Sequence, residues 1–230
     1  MKIIISGGGT GGHIFTGIAI AEEFKRKDRE NQVIFVGAVN GMESKILPLY
    51  KYTLMTLPAK RFKGKSVINK FLSLCEIPKG IIKARKILRK YQPDLVLGIG
   101  GYASGSMVIA TFLSGIKTAI HEQNTIPGLT NRFLGRFVKK VFIGFSESFP
   151  FFPEKKTLFT GNPVRSELLI KDYDKDIKKF TILILGGSQG SHNINIAMLE
   201  AIKELEEIKD KILSLIHISE PTRPLYISYA

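Results

Sequence analysis

Lys2-Ile3-Ile4-Ile5-Ser6-Gly7-Gly8-Gly9-Thr10-Gly11-Gly12-His13 decides the fold class. An unbroken β-branched run reads as a strand buried on both faces, the habit of parallel sheets. The run stops on glycines, and Ile14, Ile18 and Ala21 then mark one face of a helix. Strand, glycine loop and helix in that order leave an unobstructed backbone and free helix N–H groups where an anion can approach.

The unit recurs. "FTILILGGSQGSHN" (Phe180–Asn193) repeats it, and "DLVLGIGGYASG" (Asp94–Gly105) is a third glycine loop after a strand. Strands are predicted at Lys2–Ser6, Gln32–Gly37, Thr53–Leu57, Leu95–Gly98, Thr118–His121, Val141–Gly144, Lys156–Thr160 and Thr181–Leu185. Helices are predicted at 13–27, 42–49, 66–91, 105–115, 127–137, 165–170 and 191–211. This alternation gives an α/β fold, a parallel sheet covered on both faces. A second domain of the same Rossmann-like class is expected to begin near the second glycine repeat, after a linker that holds Phe149–Pro153 and "TGNPVR" (Thr160–Arg165).

The loops narrow the ligand. Gly7-x-Gly9-x-x-Gly12 satisfies the dinucleotide spacing, but that reading needs an acid at the end of the second strand to hold a ribose. The strand ends "VIFVGAVNG", without one. "GKS" at Gly64–Ser66 is not an ATP loop, because Ala59 stands where the motif needs glycine and no strand leads into it. Three glycine loops at strand ends favour a cleft for another anionic ligand. "IHEQNTIPGLTNR" (Ile120–Arg132) adds four polar residues at a further strand end, which are costly there unless solvated or used.

Composition sets the wider frame. The 230 residues are 44% apolar, enough for one large or two ordinary cores. The single cysteine, Cys75, excludes a disulfide framework, and no Cys/His cluster suggests a metal. The start reads as a first strand rather than a signal peptide, and no run approaches the ~18–20 apolar residues of a membrane span. The net charge of +14 calls for an anionic partner. Much of it lies between Lys60 and Lys90, where Lys60, Arg61, Lys63, Lys65, Lys70, Lys79, Lys83, Arg85, Lys86, Arg89 and Lys90 face one acid, Glu76.

"GGGTGGH", "GIGGYASG", "HEQNTIPGLTNR", "TGNPVR" and "LGGSQGSHNIN", in this order, resemble the MurG family of bacterial N-acetylglucosaminyltransferases over about residues 1–212. One departure is Thr16, where the family usually carries proline; proline there pre-sets the first helical turn, so its loss should cost little. The resemblance implies the GT-B architecture, two Rossmann-like domains facing a cleft. It implies transfer of N-acetylglucosamine from UDP-N-acetylglucosamine to the C4 hydroxyl of the muramoyl sugar of lipid I, with inversion and no protein nucleophile. The product is lipid II for peptidoglycan. No metal and no cofactor are implied, since N–H groups and helix dipoles can stabilise the departing diphosphate.

Carried over by residue, the donor UDP-N-acetylglucosamine would meet Thr10, Gly11, Gly12, Asn124, Arg165 and Ser188. The acceptor diphosphate would lie on Gly8, Gly9, Gly100 and Gly101, with Tyr102 nearby. His13 matches the histidine proposed as general base, a task that suits an imidazole. Glu122 is the rival base, and a His13 that only shapes the loop is the plainer alternative. The family rests an apolar, basic-rimmed patch on the membrane. Val67, Ile68, Phe71 and Leu72 with Lys63, Lys65 and Lys70 occupy that region, so a peripheral position on the cytoplasmic face of the plasma membrane is expected. The competing readings are another GT-B lipid glycosyltransferase and a basic RNA- or lipid-binding protein. The second is weakened because the sequence carries no RNA-binding signature and its charge forms one block, so no nucleic-acid partner is expected.

The expected organisation is therefore an acceptor- and membrane-facing domain at 1–163, the beginning of a UDP-sugar domain at 164–212, and a tail at 213–230. The tail, "LSLIHISEPTRPLYISYA", resembles the translation of a sequencing adapter and is expected to be non-native and poorly packed. A chain so shortened is expected to be inactive by itself.

Overall fold

Strand β1 (Lys2–Ser6) lies in the interior of a seven-stranded sheet because both its faces are apolar. The computed structural model describes the backbone of residues 1–39, 41–58, 67–169, 180–185, 192–205 and 212–218; the side chains of 67–76, 102, 180–183, 185, 202, 203 and 212–218 are outside that description. Ile3 and Ile5 face helix α1 (Gly11–Lys27), where they pack with Ile14, Ile18 and Ala21. Ile4 faces the other way, into a layer with Ala84, Ile87 and Leu88 of α3 (Val67–Tyr91) and Met107 and Ala110 of α4 (Tyr102–Leu113). Gly17 lets α1 lie close on the sheet: a Cβ there would fall 2.8 Å from Ile99 and 3.0 Å from Phe35.

The remaining strands are β2 (Gln32–Ala38), β3 (Thr53–Leu57), β4 (Leu95–Gly98), β5 (Lys117–Glu122), β6 (Lys140–Ile143) and β7 (Thr157–Phe159). All pair in parallel, in the order β3-β2-β1-β4-β5-β6-β7. Register is continuous through the centre, with Ile5 beside Phe35 on one side and Leu97 on the other. The order reverses between β1 and β4. At such a switch point, outside the carboxyl ends of the strands, open α/β sheets take their ligands.

The predicted strands all form, whereas several helix limits move. The segment predicted at 42–49 divides into α2 (Glu43–Ile46) and a 3₁₀ turn (Leu47–Tyr50), because Pro48 has no N–H to continue the α ladder. The helix predicted from residue 105 starts at Tyr102, directly after Gly101. Helix α5 covers only Leu129–Leu134, and 165–170 yields a 3₁₀ turn at Ser166–Leu168.

The chain divides into two compact units, Met1–Leu169 and Ile170–Ala230. Residues 164–169, read from sequence as the opening of the second domain, thus lie with the first. In the second unit, β8 (Phe180–Leu185), α6 (His192–Leu205) and β9 (Ile212–Ile218) form a β-α-β arrangement with parallel strands, Thr181 opposite Ser214 and Leu185 opposite Ile218. Residues 212–218 of the expected tail form strand β9, described by its backbone alone. Its run of Ile and Leu has the propensity to cover the open edge of β8. Residues 219–230 lie outside the described residues.

Candidate functional site

Two glycine loops meet at the switch point. The Gly8 amide donates to the Gly100 carbonyl at 3.3 Å, and the Gly7 amide donates to Val36 at 3.0 Å. The contact is too close for side chains: a Cβ on Gly7 would lie 2.4 Å from the Gly100 oxygen, and one on Gly101 would lie 2.5 Å from the Gly8 oxygen. Gly9 and Gly12, by contrast, face open space. Each loop feeds a long helix, and the N-caps Thr10 and Gly101 make no side-chain capping bond. Neither helix has an acid in its first turn. The first amides of α1 and α4 therefore remain available to an anion, reinforced by two helix dipoles.

His13 closes the first loop. Its Nδ1 lies 2.8 Å from the Thr10 hydroxyl, and its Nε2 sits where a Cβ on Gly100 would be only 2.7 Å away. Half-burial pushes the imidazole below its ordinary value. The carboxylates of Glu122 and Glu43 and a backbone hydrogen bond with Gly8 oppose that shift. A histidine so placed is neutral near pH 7 and can accept a proton.

The HEQN stretch is a fixed turn. Glu122, 1% exposed, accepts from the Asn124 amide at 3.0 Å and its side-chain nitrogen at 2.8 Å through Oε1. Its Oε2 accepts from the Gly128 amide at 3.2 Å and Asn131 Nδ2 at 2.9 Å. Both oxygens are thus committed to protein donors. His121 donates from Nε2 to the Gly161 carbonyl at 3.2 Å, while its Nδ1 lies 3.1 Å from Gln123 Nε2. Asn162 Nδ2 donates to the Gln123 carbonyl at 3.1 Å, so TGNPVR is seated against HEQN.

The expected site residues separate accordingly. Gly8, Gly9, Thr10, Gly11, Gly12, His13, Gly100 and Gly101 converge at the switch point, and Tyr102 opens α4 beside them. Asn124 is tied to Glu122. Arg165 lies over the Phe15 ring, two residues past His13, and donates to the Tyr50 hydroxyl at 2.6 Å while pairing with Glu167. Ser188, Lys63 and Lys65 lie outside the described residues, as do the side chains of Val67, Ile68, Lys70, Phe71 and Leu72 in the first turns of α3. No cluster of metal-ligating side chains occurs among the described residues.

Sequence reasoning missed Glu43. The search for an acid ended at "VIFVGAVNG"; the acid follows two residues later and turns back beneath the first loop. Glu43 is 1% exposed, its Oε1 accepts from the Ala38 amide at 2.7 Å, and its Oε2 accepts from the Gly9 amide at 2.9 Å. The available signal was the pair Gly37 and Gly41, which make room for its carboxyl group.

Residues 3–143 match the glycosyltransferase family 28 N-terminal domain. The chain belongs to glycosyltransferase family 28. Among relatives in this family, it is 47% identical to the UDP-N-acetylglucosamine--N-acetylmuramyl-(pentapeptide) pyrophosphoryl-undecaprenol N-acetylglucosamine transferase of Syntrophus aciditrophicus, over 94% of this chain and 60% of that protein. It is likewise 47% identical to the transferase of the same name from Citrifermentans bemidjiense, over 92% of this chain and 60% of that one. The crystal structure of Acinetobacter baumannii MurG superposes with a TM-score of 0.66 at 28% identity, covering 89% of this chain and 55% of that one. The chain thus spans about 60% of the length of the relatives it matches.

Proposed function

We propose that the complete protein to which this family 28 chain belongs transfers N-acetylglucosamine from UDP-N-acetylglucosamine to the C4 hydroxyl of the muramoyl sugar of lipid I, giving lipid II. The carrying observation is the meeting of two uncapped helix N-termini, α1 and α4, around a half-buried His13. Such a crevice suits a diphosphate-bearing ligand beside a hydroxyl that must lose its proton. The names of the two relatives supply the substrate class.

In this reading the acceptor diphosphate lies against the first amides of α1 and α4, at the two helix N-termini. His13, held by the Thr10 hydroxyl at Nδ1, is the base in this reading. It takes the C4 hydroxyl proton as the O4–C1 bond forms and the C1–phosphate bond breaks. The electron pair leaves with UDP, and the anomeric centre inverts. Glu122 is the weaker candidate for base, since four donors already occupy its oxygens. Its charge serves His13 instead, favouring the imidazolium as the proton arrives.

The same reading places the protein on the inner face of the plasma membrane. No described helix is long and apolar enough to cross a bilayer. On the surface, the Phe137 ring meets those of Phe112 and Phe133 in tilted contacts at 5.6 and 5.1 Å, and all three are 41–50% exposed. Exposed Arg132, Arg136, Lys139 and Lys140 accompany them in sequence. An exposed aromatic patch beside cations suits an anionic lipid surface.

Incubating the full-length protein with labelled UDP-N-acetylglucosamine and a lipid I analogue tests the proposal. A labelled disaccharide lipid is expected. Transfer to a different lipid, or RNA binding without transfer, would overturn it.

A further inference from the structure

Glu43 stands at the start of α2, outside every motif that points to the glycine loops, yet its buried carboxyl group bonds to one of them. Its two oxygens each accept a backbone N–H, one from Gly9 and one from Ala38. Three glycine backbones close around it. Added Cβ atoms at Gly8, Gly37 and Gly41 would come within 2.4, 2.5 and 2.2 Å of its side chain. Such an arrangement fixes the first loop from beneath. It also occupies the Gly9 amide, leaving the α1 amides of Gly11, Gly12 and His13 as the loop's anion-facing donors.

We propose that Glu43 is a positioning residue: its buried carboxylate holds the Gly7–Gly9 loop in shape and supplies a fixed negative charge behind His13. Among the described residues, the groups that act on His13 are Thr10 and Gly8 of its own loop, Glu43 from α2, the Gly100 backbone, and Glu122 from β5. Both carboxylates push the imidazole toward its protonated form against the effect of burial. Glu122 is committed to organising the HEQN turn, whereas Glu43 links loop shape and histidine charge in one group. The consequence for catalysis rests on the transfer reading; the geometry does not.

Hydrogen exchange and a histidine NMR titration of this chain test the proposal without substrate. In the wild type the Gly9 amide should exchange slowly, as a bonded amide does. In Glu43→Gln the charge is lost in a side chain of similar size, and the His13 titration midpoint should fall. In Glu43→Asp the charge stays but its reach is shorter. The Gly9 amide should then exchange faster, with the His13 midpoint shifted less than in Glu43→Gln.

A wild-type Gly9 amide that exchanges as freely as an unbonded surface amide would overturn the proposal, and this readout requires no variant to fold. A folded Glu43→Gln with an unmoved His13 midpoint would overturn it equally. In the full-length protein, the acid limb of the transfer rate should move to lower pH in Glu43→Gln. If His13 responds but no transfer to lipid I occurs, the transfer reading fails and the positioning role stands.

Discussion

The Gly8 amide donates to the Gly100 carbonyl, and this single bond joins the loops that follow two neighbouring strands, β1 and β4. It holds two helix N-termini side by side over the point where strand order reverses. Gly101 keeps the approach open at a φ of 84°, a conformation that disfavours any side chain. Gly101→Ala should cost about 1–3 kcal/mol in strain and displaced backbone. Urea denaturation should show the loss, and a midpoint equal to the wild type would mean that the loops are not tightly joined.

Glu122→Gln should destabilise the first unit by about 1.5–3 kcal/mol, since an amide presents hydrogens to donors that now meet a carboxylate. The full-length variant, assayed below its unfolding temperature, should keep a histidine-like acid limb in its rate profile. Loss of that limb in a protein of unchanged stability would make Glu122 the base.

His121 predicts a pH dependence of stability. Burial lowers its folded-state value below the ordinary 6.5, with the Gly161 hydrogen bond and Glu122 opposing. As pH falls below 6.5, the unfolded chain takes up a proton that the folded chain resists, so stability is full above this range and declines through it. His13 acts in the same direction. Thermal unfolding should therefore shift to lower temperature as pH drops from about 7.5 to about 5.5, and less steeply in His121→Gln. Equal slopes in the two proteins would remove His121 from the account.

The sheet was legible because burial on both faces leaves continuous apolar strands, as in Lys2–Ser6 and Leu95–Gly98. The glycine loops were legible because few other residues allow such close backbone contact. Helix ends were harder to place: Pro48 ends an α ladder that periodicity alone extends, and Gly101 starts a helix before its apolar face appears. Glu43 escaped because an isolated acid in a sequence shows no partner, and its partners are backbone amides brought to it by the fold. Arg165 was read as a donor contact; the structure adds its stacking on Phe15 and bond to Tyr50, tertiary contacts that no local pattern reveals. Strand β9 was passed over because its residues resembled an adapter, although their β propensity was plain.

The clustered rings of Phe112, Phe133 and Phe137 should contribute to membrane binding. Replacing all three with serine should reduce co-sedimentation with anionic vesicles, and binding by the wild type should weaken as salt screens the neighbouring cations. Undiminished binding by the triple variant would locate membrane contact elsewhere.

The most direct test is the single-turnover rate of transfer to a lipid I analogue by the full-length protein, compared with His13→Ala at saturating substrates. The account predicts a disaccharide lipid product and a rate lowered by about 10²–10⁴ in the variant, the usual contribution of a positioned general base. Binding of UDP-N-acetylglucosamine should be retained. An undiminished rate in His13→Ala would contradict the assignment of this crevice as the site of proton removal.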